Sequence, residues 1–182
     1  MITYYPKAVQ LLIQGKTWGE HNKLGVICHS AEGYWAAMEQ ILRDSTSRKS
    51  WHFSIVKDGT VYQHYSIIDS PWHAGHQIAN QDLVGIEHEG RVGEPLTTPQ
   101  LESSVELVKW LSEQLGFSLI RGHGLYEHNE FTNTACPSNR IPWDKYEYVP
   151  PIAPLLETTT EYLGYDATIN RFKWKINVHI QP

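Results

Sequence analysis

The sequence predicts an α/β domain, a mixed central β-sheet flanked by helices, and three observations predict it. Short apolar or β-branched runs recur at residues 24–28, 52–57, 60–65 and 84–89. Amphipathic segments of helical spacing lie between them, and one pair of runs is joined by Asp58-Gly59, a tight-turn dipeptide between β-rich stretches. The order that follows is strand, helix, hairpin, strand, helix, strand.

Each element has its own reason. Leu24-Gly25-Val26-Ile27-Cys28 is apolar without alternation and ends at His29, as a strand buried on both faces does. Tyr34, Trp35, Met38, Ile41 and Leu42 are spaced mostly by three or four around Ala36 and Ala37, which predicts a helix. In the run 84–89, alternation puts Val84, Ile86 and His88 on one face and Gly85, Glu87 and Glu89 on the other. The clearest helix takes Thr98 as N-cap and Pro99 as its first residue, carries Leu101, Val105, Val108, Leu111 and Leu115, and stops at Gly116. Residues 118–121 then supply the returning strand.

Three prolines at 150, 151 and 154 deny regular structure, which divides the chain into a main domain over 1–149 and a proline-rich linker with a C-terminal β-strand extension over 150–182. Residues 171–181 alternate polar and apolar, with Arg171, Lys173 and Lys175 on one face. About thirty residues are too few for a separate stable domain. The strand is expected to dock on the main domain, pair with a second chain, or present its basic face to an anionic polymer; the chain is expected to be a monomer unless this strand makes a dimer.

Composition removes several functions. A 182-residue chain can bury a core without staples, so a metal would serve chemistry rather than folding. Net charge −5 with no Lys/Arg block lacks the footprint that nucleic acid requires. No run reaches the roughly 18 apolar residues of a membrane span, and residues 1–14 read as neither signal peptide nor anchor, so no membrane insertion and a cytoplasmic location are expected. Cys28 and Cys136 are then free thiols or metal ligands.

Position selects among the ten histidines. His29 is placed just past the carboxyl end of an apolar strand, the edge where open α/β sheets put their sites. His128 and Cys136 share a polar, loop-like stretch with seven residues between them. Two imidazoles and a thiolate make a tetrahedral zinc set with one open position, and zinc lowers the pKa of water there to about 7. The same residues also suit a strand-end histidine with a satisfied hydrogen bond and a buried thiol. Trp18, Trp35 and Trp110 read as core, and His21, His64, His76, His88 and His179 as surface or satisfied structural groups.

A resemblance now enters on particular residues: Val26-Ile27-Cys28-His29-Ser30, Trp51-His52-Phe53, Lys57-Asp58-Gly59-Thr60-Val61, Trp72-His73-Ala74-Gly75, Val84-Gly85-Ile86-Glu87-His88-Glu89-Gly90, and His128-Asn129-Glu130 through Cys136-Pro137-Ser138. In this order, over roughly residues 20 to 145, the chain resembles the type-2 zinc N-acetylmuramoyl-L-alanine amidase family of phage endolysins, bacterial cell-wall recycling amidases and animal peptidoglycan recognition proteins. The resemblance implies that fold, a Zn2+ ion on His29, His128 and Cys136, and hydrolysis of the amide joining N-acetylmuramic acid to L-alanine in peptidoglycan (murein). His123, with twelve residues before Cys136, is the competing histidine, but the spacing in Cys-bearing members matches His128.

Glu87 is the candidate general base and acid, in a pattern that resembles the recycling branch. Glu87 and Glu89 share a face about two strand rises, ~6.5 Å, apart, and repulsion with desolvation is expected to raise at least one pKa; pairing of Glu87 with a nearby cation is the structural alternative. In the phage-lysozyme branch a catalytic tyrosine precedes the His-Phe pair and a lysine often sits two residues before the cysteine. Here Trp51 and Thr134 stand at those places. Trp51 has no acidic hydroxyl, Thr134 has one hydrogen bond to offer an oxyanion, and His73 or His52 is the alternative second group. Trp51, His52, Trp72 and His73 are expected to bind substrate. The Asn-Glu-Phe and Ala-Cys-Pro segments resemble lytic members, which implies a phage endolysin released to the wall at lysis. A recycling amidase acting on soluble anhydro-muropeptides and a non-catalytic peptidoglycan-binding module are the alternatives.

Overall fold

Residues without a polar alternation form the centre of the sheet. In the computed structural model, which describes residues 3–147, 156–166 and 171–180, β3 (Gly25–Ser30) is buried at every position. It has parallel neighbours on both sides, β7 (Leu83–His88) and β8 (Leu125–Glu127). Beyond β7 lie β4 (Phe53–Ile55), β5 (Val61–Gln63) and β1 (Val9–Gln10), giving the order β1-β5-β4-β7-β3-β8. β4 and β5 pair antiparallel as the Asp58-Gly59 hairpin, and the other ladders are parallel, so the sheet is mixed. β2 (Thr17–Glu20) and β6 (Asp69–Pro71) form a small second sheet.

Alternation assigns the two faces. Val26, Cys28, Phe53, Ile55, Val84 and Ile86 pack with Leu107, Val108 and Leu111 of α3 (Thr98–Leu115). The opposite face carries Ile27 with Ala74, Ala79 and Leu83 around α2 (Gln77–Asp82), and α1 (Trp35–Arg43) buries Met38 and Leu42 against Trp51.

α3 starts one residue before the sequence reading. Thr97 is the N-cap, its hydroxyl accepting from the Gln100 amide, and Pro99 is the second helical residue. The buried stripe is rotated to include Gln100 and Ser104, because the Gln100 amide nitrogen and the Ser104 hydroxyl find partners there. The Gln100 amide donates to the Ile55 and Glu89 carbonyls, and Ser104 bonds His88 Nε2 and the Tyr146 hydroxyl. Gly116 closes the helix in the left-handed region at φ 77°, as its stop signal required.

The returning strand is β8, not 118–121. After α3 the chain must reverse before it can run parallel to β3; residues 118–124 make that turn, with the Ile120 carbonyl accepting from the His123 and Leu125 amides.

The chain divides into two units, Met1–Tyr148 and Val149–Pro182. The second holds an antiparallel hairpin of β9 (Leu156–Asp166) and β10 (Arg171–Ile180), with a register irregularity between Lys173 and Trp174. The alternation at 171–181 predicts β10; β9, rich in threonine rather than alternating, was not anticipated. The proline-rich segment lies outside the described residues. Among the described residues no helix is long and apolar enough to cross a membrane.

One buried chain of polar groups ties the edge to the core. Trp51 Nε1 donates to Ser54 Oγ (2.7 Å), Ser54 lies 2.8 Å from His64 Nε2, and His64 Nδ1 lies 3.1 Å from the Leu11 carbonyl. Only a neutral ring satisfies this chain, accepting at Nε2 and donating at Nδ1. Burial lowers the His64 pKa from 6.5 to about 4. The folded state thus binds fewer protons than the unfolded one between those values, and stability present above pH 6.5 is lost as pH falls toward 4. We expect urea unfolding to show about 3 kcal/mol of loss from this group between pH 7 and 4, with His64→Gln flattening the profile by that amount; parallel profiles would refute the assignment.

Candidate active site

Parallel register builds the floor of the site. β3 and β7 pair His29 with Glu87, and the alternation that sends Cys28 and Ile86 into the α3 core sends His29 and Glu87 together to the other face. His29 lies within β3, which runs to Ser30, rather than past its end; the parallel pairing with β7 continues through His29 and Glu87 to Ser30 and His88, and His29 is fully buried.

The other two groups come from the chain after β8. Glu127 and Glu130 close a capping box around the 3-10 turn His128–Glu130, which sets the His128 ring against His29, centroids 4.6 Å apart. The following loop is pulled back onto the strands. The Asn129 amide donates to the Cys136 carbonyl, and buried Arg140 donates to the Glu94, His88 and Glu89 carbonyls and to Ser30 Oγ. Cys136 Sγ then accepts the Ser30 amide at 3.2 Å. Arg140 and Ser30 were not anticipated; a single arginine acting on carbonyls of one segment far away in the chain leaves no local pattern in a sequence.

His29, His128 and Cys136 have their donor atoms within 4.8 Å of one another. Cys136 Sγ is 3.8 Å from His29 Nδ1, against the about 3.5 Å that tetrahedral zinc bonds to S and N impose. The chain therefore has a possible His/His/Cys metal site. His123, exposed and outside this cluster, is not its second histidine. Burial lowers the pKa of His29 well below 6.5, with His73, His128 and His88 adding to it, and burial lowers that of His128. Burial also pushes the Cys136 thiol up to about 12, with Glu87 next in effect. Such a pocket disfavours a lone thiolate and favours a cation among the three donors.

Glu87 Oε1 lies 4.0 Å from His29 Nδ1, and Oε2 is enclosed without a hydrogen-bond partner. Its pKa is raised to about 8 by burial, opposed by Lys49 and Arg140 and reinforced by Glu32. Glu89 does not share this environment as its place in the alternation suggested. β7 ends at His88, and the Glu89 carboxylate accepts the Trp35 and Lys57 amides. Burial, not a carboxylate pair on β7, sets the Glu87 protonation.

These groups open into a cleft of about 810 Å³. Trp51, Trp72, His73 and Thr134 line it. Thr134 Oγ1 accepts the Cys136 amide and keeps its own proton to donate. Trp72 Nε1 is buried without a partner, and Trp51 Nε1 is spent on Ser54. His52 sits beneath the cleft, fully buried, with Nδ1 accepting the Gly85 amide and Nε2 bonded to the Asp69 carbonyl, so its ring is not presented to a ligand. Trp35 stacks on Tyr62 and Trp110 packs with Tyr5. Trp18 is not core: it is 46% exposed, lines the cleft and tilts over Trp72 at 6.2 Å. Arg48 and Lys49 line the mouth and also escaped notice, because two adjacent cations read as an ordinary solvated turn.

Comparison with known proteins agrees with this fold. Among curated proteins none matches. An endolysin N-acetylmuramoyl-L-alanine amidase from Clostridium intestinale is similar in structure at 23% identity and a TM-score of 0.63, covering 79% of this chain and 95% of its own. A mutant endolysin from Bacillus subtilis is similar at 22% and 0.64, covering 76% and 95%. A selenomethionine derivative of AmpD is similar at 16% and 0.66, covering 79% and 94%. The N-acetylmuramoyl-L-alanine amidase family model matches residues 9–139, and the chain therefore belongs to that family of peptidoglycan amidases.

Proposed function

We propose that this chain is a zinc-dependent lytic amidase of the endolysin kind, cutting the bond between N-acetylmuramic acid and L-alanine in intact murein once lysis brings it to the wall. The observation that carries the reading is the Glu87 carboxylate, its buried Oε2 without a hydrogen-bond partner, beside the His29, His128 and Cys136 donors at the floor of an open cleft. His29 through Nδ1, His128 through its ring and Cys136 through Sγ would hold Zn2+. When bound, that ion supplies Lewis acidity at neutral pH.

The chain's own residues do the rest. Glu87 is a carboxylate whose proton affinity lies near neutrality, so it can take a proton from water at its cleft edge and return it to the departing L-alanine amine. The Thr134 hydroxyl donates to the oxygen on which negative charge develops. Trp72 and Trp18 offer apolar faces to the sugar and lactyl groups. Arg48 and Lys49 draw the carboxylates of the peptide stem to the mouth.

Two things support the lytic form: the endolysin relatives in structure and the likeness of the Asn-Glu-Phe and Ala-Cys-Pro segments to lytic members. The Gly85-Ile86-Glu87-His88-Glu89-Gly90 run, similar to the recycling branch, favours a second reading in which soluble anhydro-muropeptides are the substrate.

We expect purified protein to contain about one zinc per chain and to release L-alanine amino groups from insoluble murein, with a chelator abolishing release; a zinc-free, fully active protein would overturn the reading. Cleavage of soluble anhydro-muropeptides with murein left intact selects the recycling form. Glu87→Gln is expected to lower kcat by about 10²–10⁴-fold while melting at or above the temperature of the parent, since it replaces a buried carboxylate that lacks one partner. A kcat within threefold of the parent would remove Glu87 from the chemistry. His29→Ala and Cys136→Ser are each expected to lose hydrolysis and keep the parent's circular dichroism.

A further inference from the structure

His73 carries geometry that substrate binding does not explain. The loop holding it is fixed by α2: the His73 and Ala74 amides both donate to Asn80 Oδ1, at 2.9 and 2.7 Å. Its ring lies on Gly85 of β7, where an added Cβ would stand 2.5 Å from His73 Cγ and 2.7 Å from Nδ1. Only glycine leaves that space.

The ring's two nitrogens have different partners. Nε2 lies 3.2 Å from the Leu83 carbonyl, and Nδ1 lies 3.1 Å from His29 Nε2. A carbonyl accepts only, so the proton of the neutral, buried His73 ring sits on Nε2 and Nδ1 is left as an acceptor. His29 must then donate from its own Nε2. Its lone pair is left on Nδ1, the atom 3.8 Å from Cys136 Sγ. The opposite tautomer would set two lone pairs against each other across 3.1 Å and aim a proton into the donor cluster.

We infer that His73 is a positioning residue: the relay Leu83 carbonyl, His73, His29 fixes the one His29 tautomer whose Nδ1 faces the His128 and Cys136 donors. The inference rests on the reading that these donors hold zinc. A ligating histidine ordinarily gives its second N–H to a carboxylate, carbonyl or water; here the acceptor is another imidazole, itself oriented by a strand carbonyl and seated by Gly85.

The test has two arms. In metal-free full-length protein near pH 8, long-range nitrogen–proton NMR correlation should find His29 protonated at Nε2 and bare at Nδ1. Competition with a chromophoric chelator should give His73→Leu, which lacks the acceptor, a zinc affinity about 10–100-fold below the parent. His73→Asn, whose Oδ1 takes the place of Nδ1, should recover most of it. A His29 proton on Nδ1 in the parent, or His73→Leu binding zinc as tightly as the parent, overturns the inference. Failure of the parent itself to bind zinc overturns the proposed function instead, while the tautomer still decides the relay. Should His73→Leu not fold, the parent tautomer and the His73→Asn affinity decide the inference without it.

Discussion

The pairing of β3 with β7 is the constraint on which the site depends. Because the side-chain period of a strand is two, the register that buries Val26, Cys28, Val84 and Ile86 under α3 also fixes His29 beside Glu87 on the opposite face. A slip of either strand by one residue would turn its own polar group, the imidazole or the carboxylate, into the apolar core and away from the other. The hydrophobic effect thus positions the chemistry indirectly: the greasy face of the sheet selects the register, and the register selects which polar groups meet.

Burying so many imidazoles is tolerable only while they are neutral and bonded. His88 shows how this is met. Its Nδ1 bonds the His29 carbonyl and its Nε2 bonds Ser104, which also takes the Tyr146 hydroxyl. Burial lowers its pKa to about 4, so the ring stays uncharged where a charged one would be costly. The same network pins the backbone of His29 from the core side, while His73 holds its ring from the cleft side. Floor and ligand geometry are set by separate hydrogen bonds on the two faces of one strand.

Much of this was legible in the sequence, for reasons that can be named. The unbroken apolar run before His29, the Asp58-Gly59 hairpin and the Pro99 to Gly116 helix are local signals, and the sheet and helices follow from them. His29, His128 and Cys136 stood out by residue type and spacing, and the structure brings those three together. What the sequence hid is long-range. Nothing in Arg140 announces that it will bond three carbonyls at and beyond the end of β7, and nothing in Trp18 tells a core indole from a cleft wall. The Glu87 and Glu89 pair misled because alternation holds only while the strand lasts, and β7 ends between them. Residues 118–121 misled similarly: an apolar stretch after a helix reads as a strand until the reversal that a parallel pairing demands is counted.

The anchoring of the loop by Arg140 bears on what a cation held by these donors would be for. Its guanidinium bonds neutral oxygens of Ser30, His88, Glu89 and Glu94, and those bonds, with the Ser30 amide on Cys136 Sγ, hold the thiol near His29 by protein contacts alone. In small zinc modules the ligands meet only when the ion gathers them, and binding energy is folding energy. Here the domain's core is closed by β3, β4, β7 and α3 without recourse to the donor cluster. On the zinc reading, little of the ion's affinity is then consumed in ordering the chain, and the arrangement of its ligands is set beforehand by a register, a buried guanidinium and an imidazole relay.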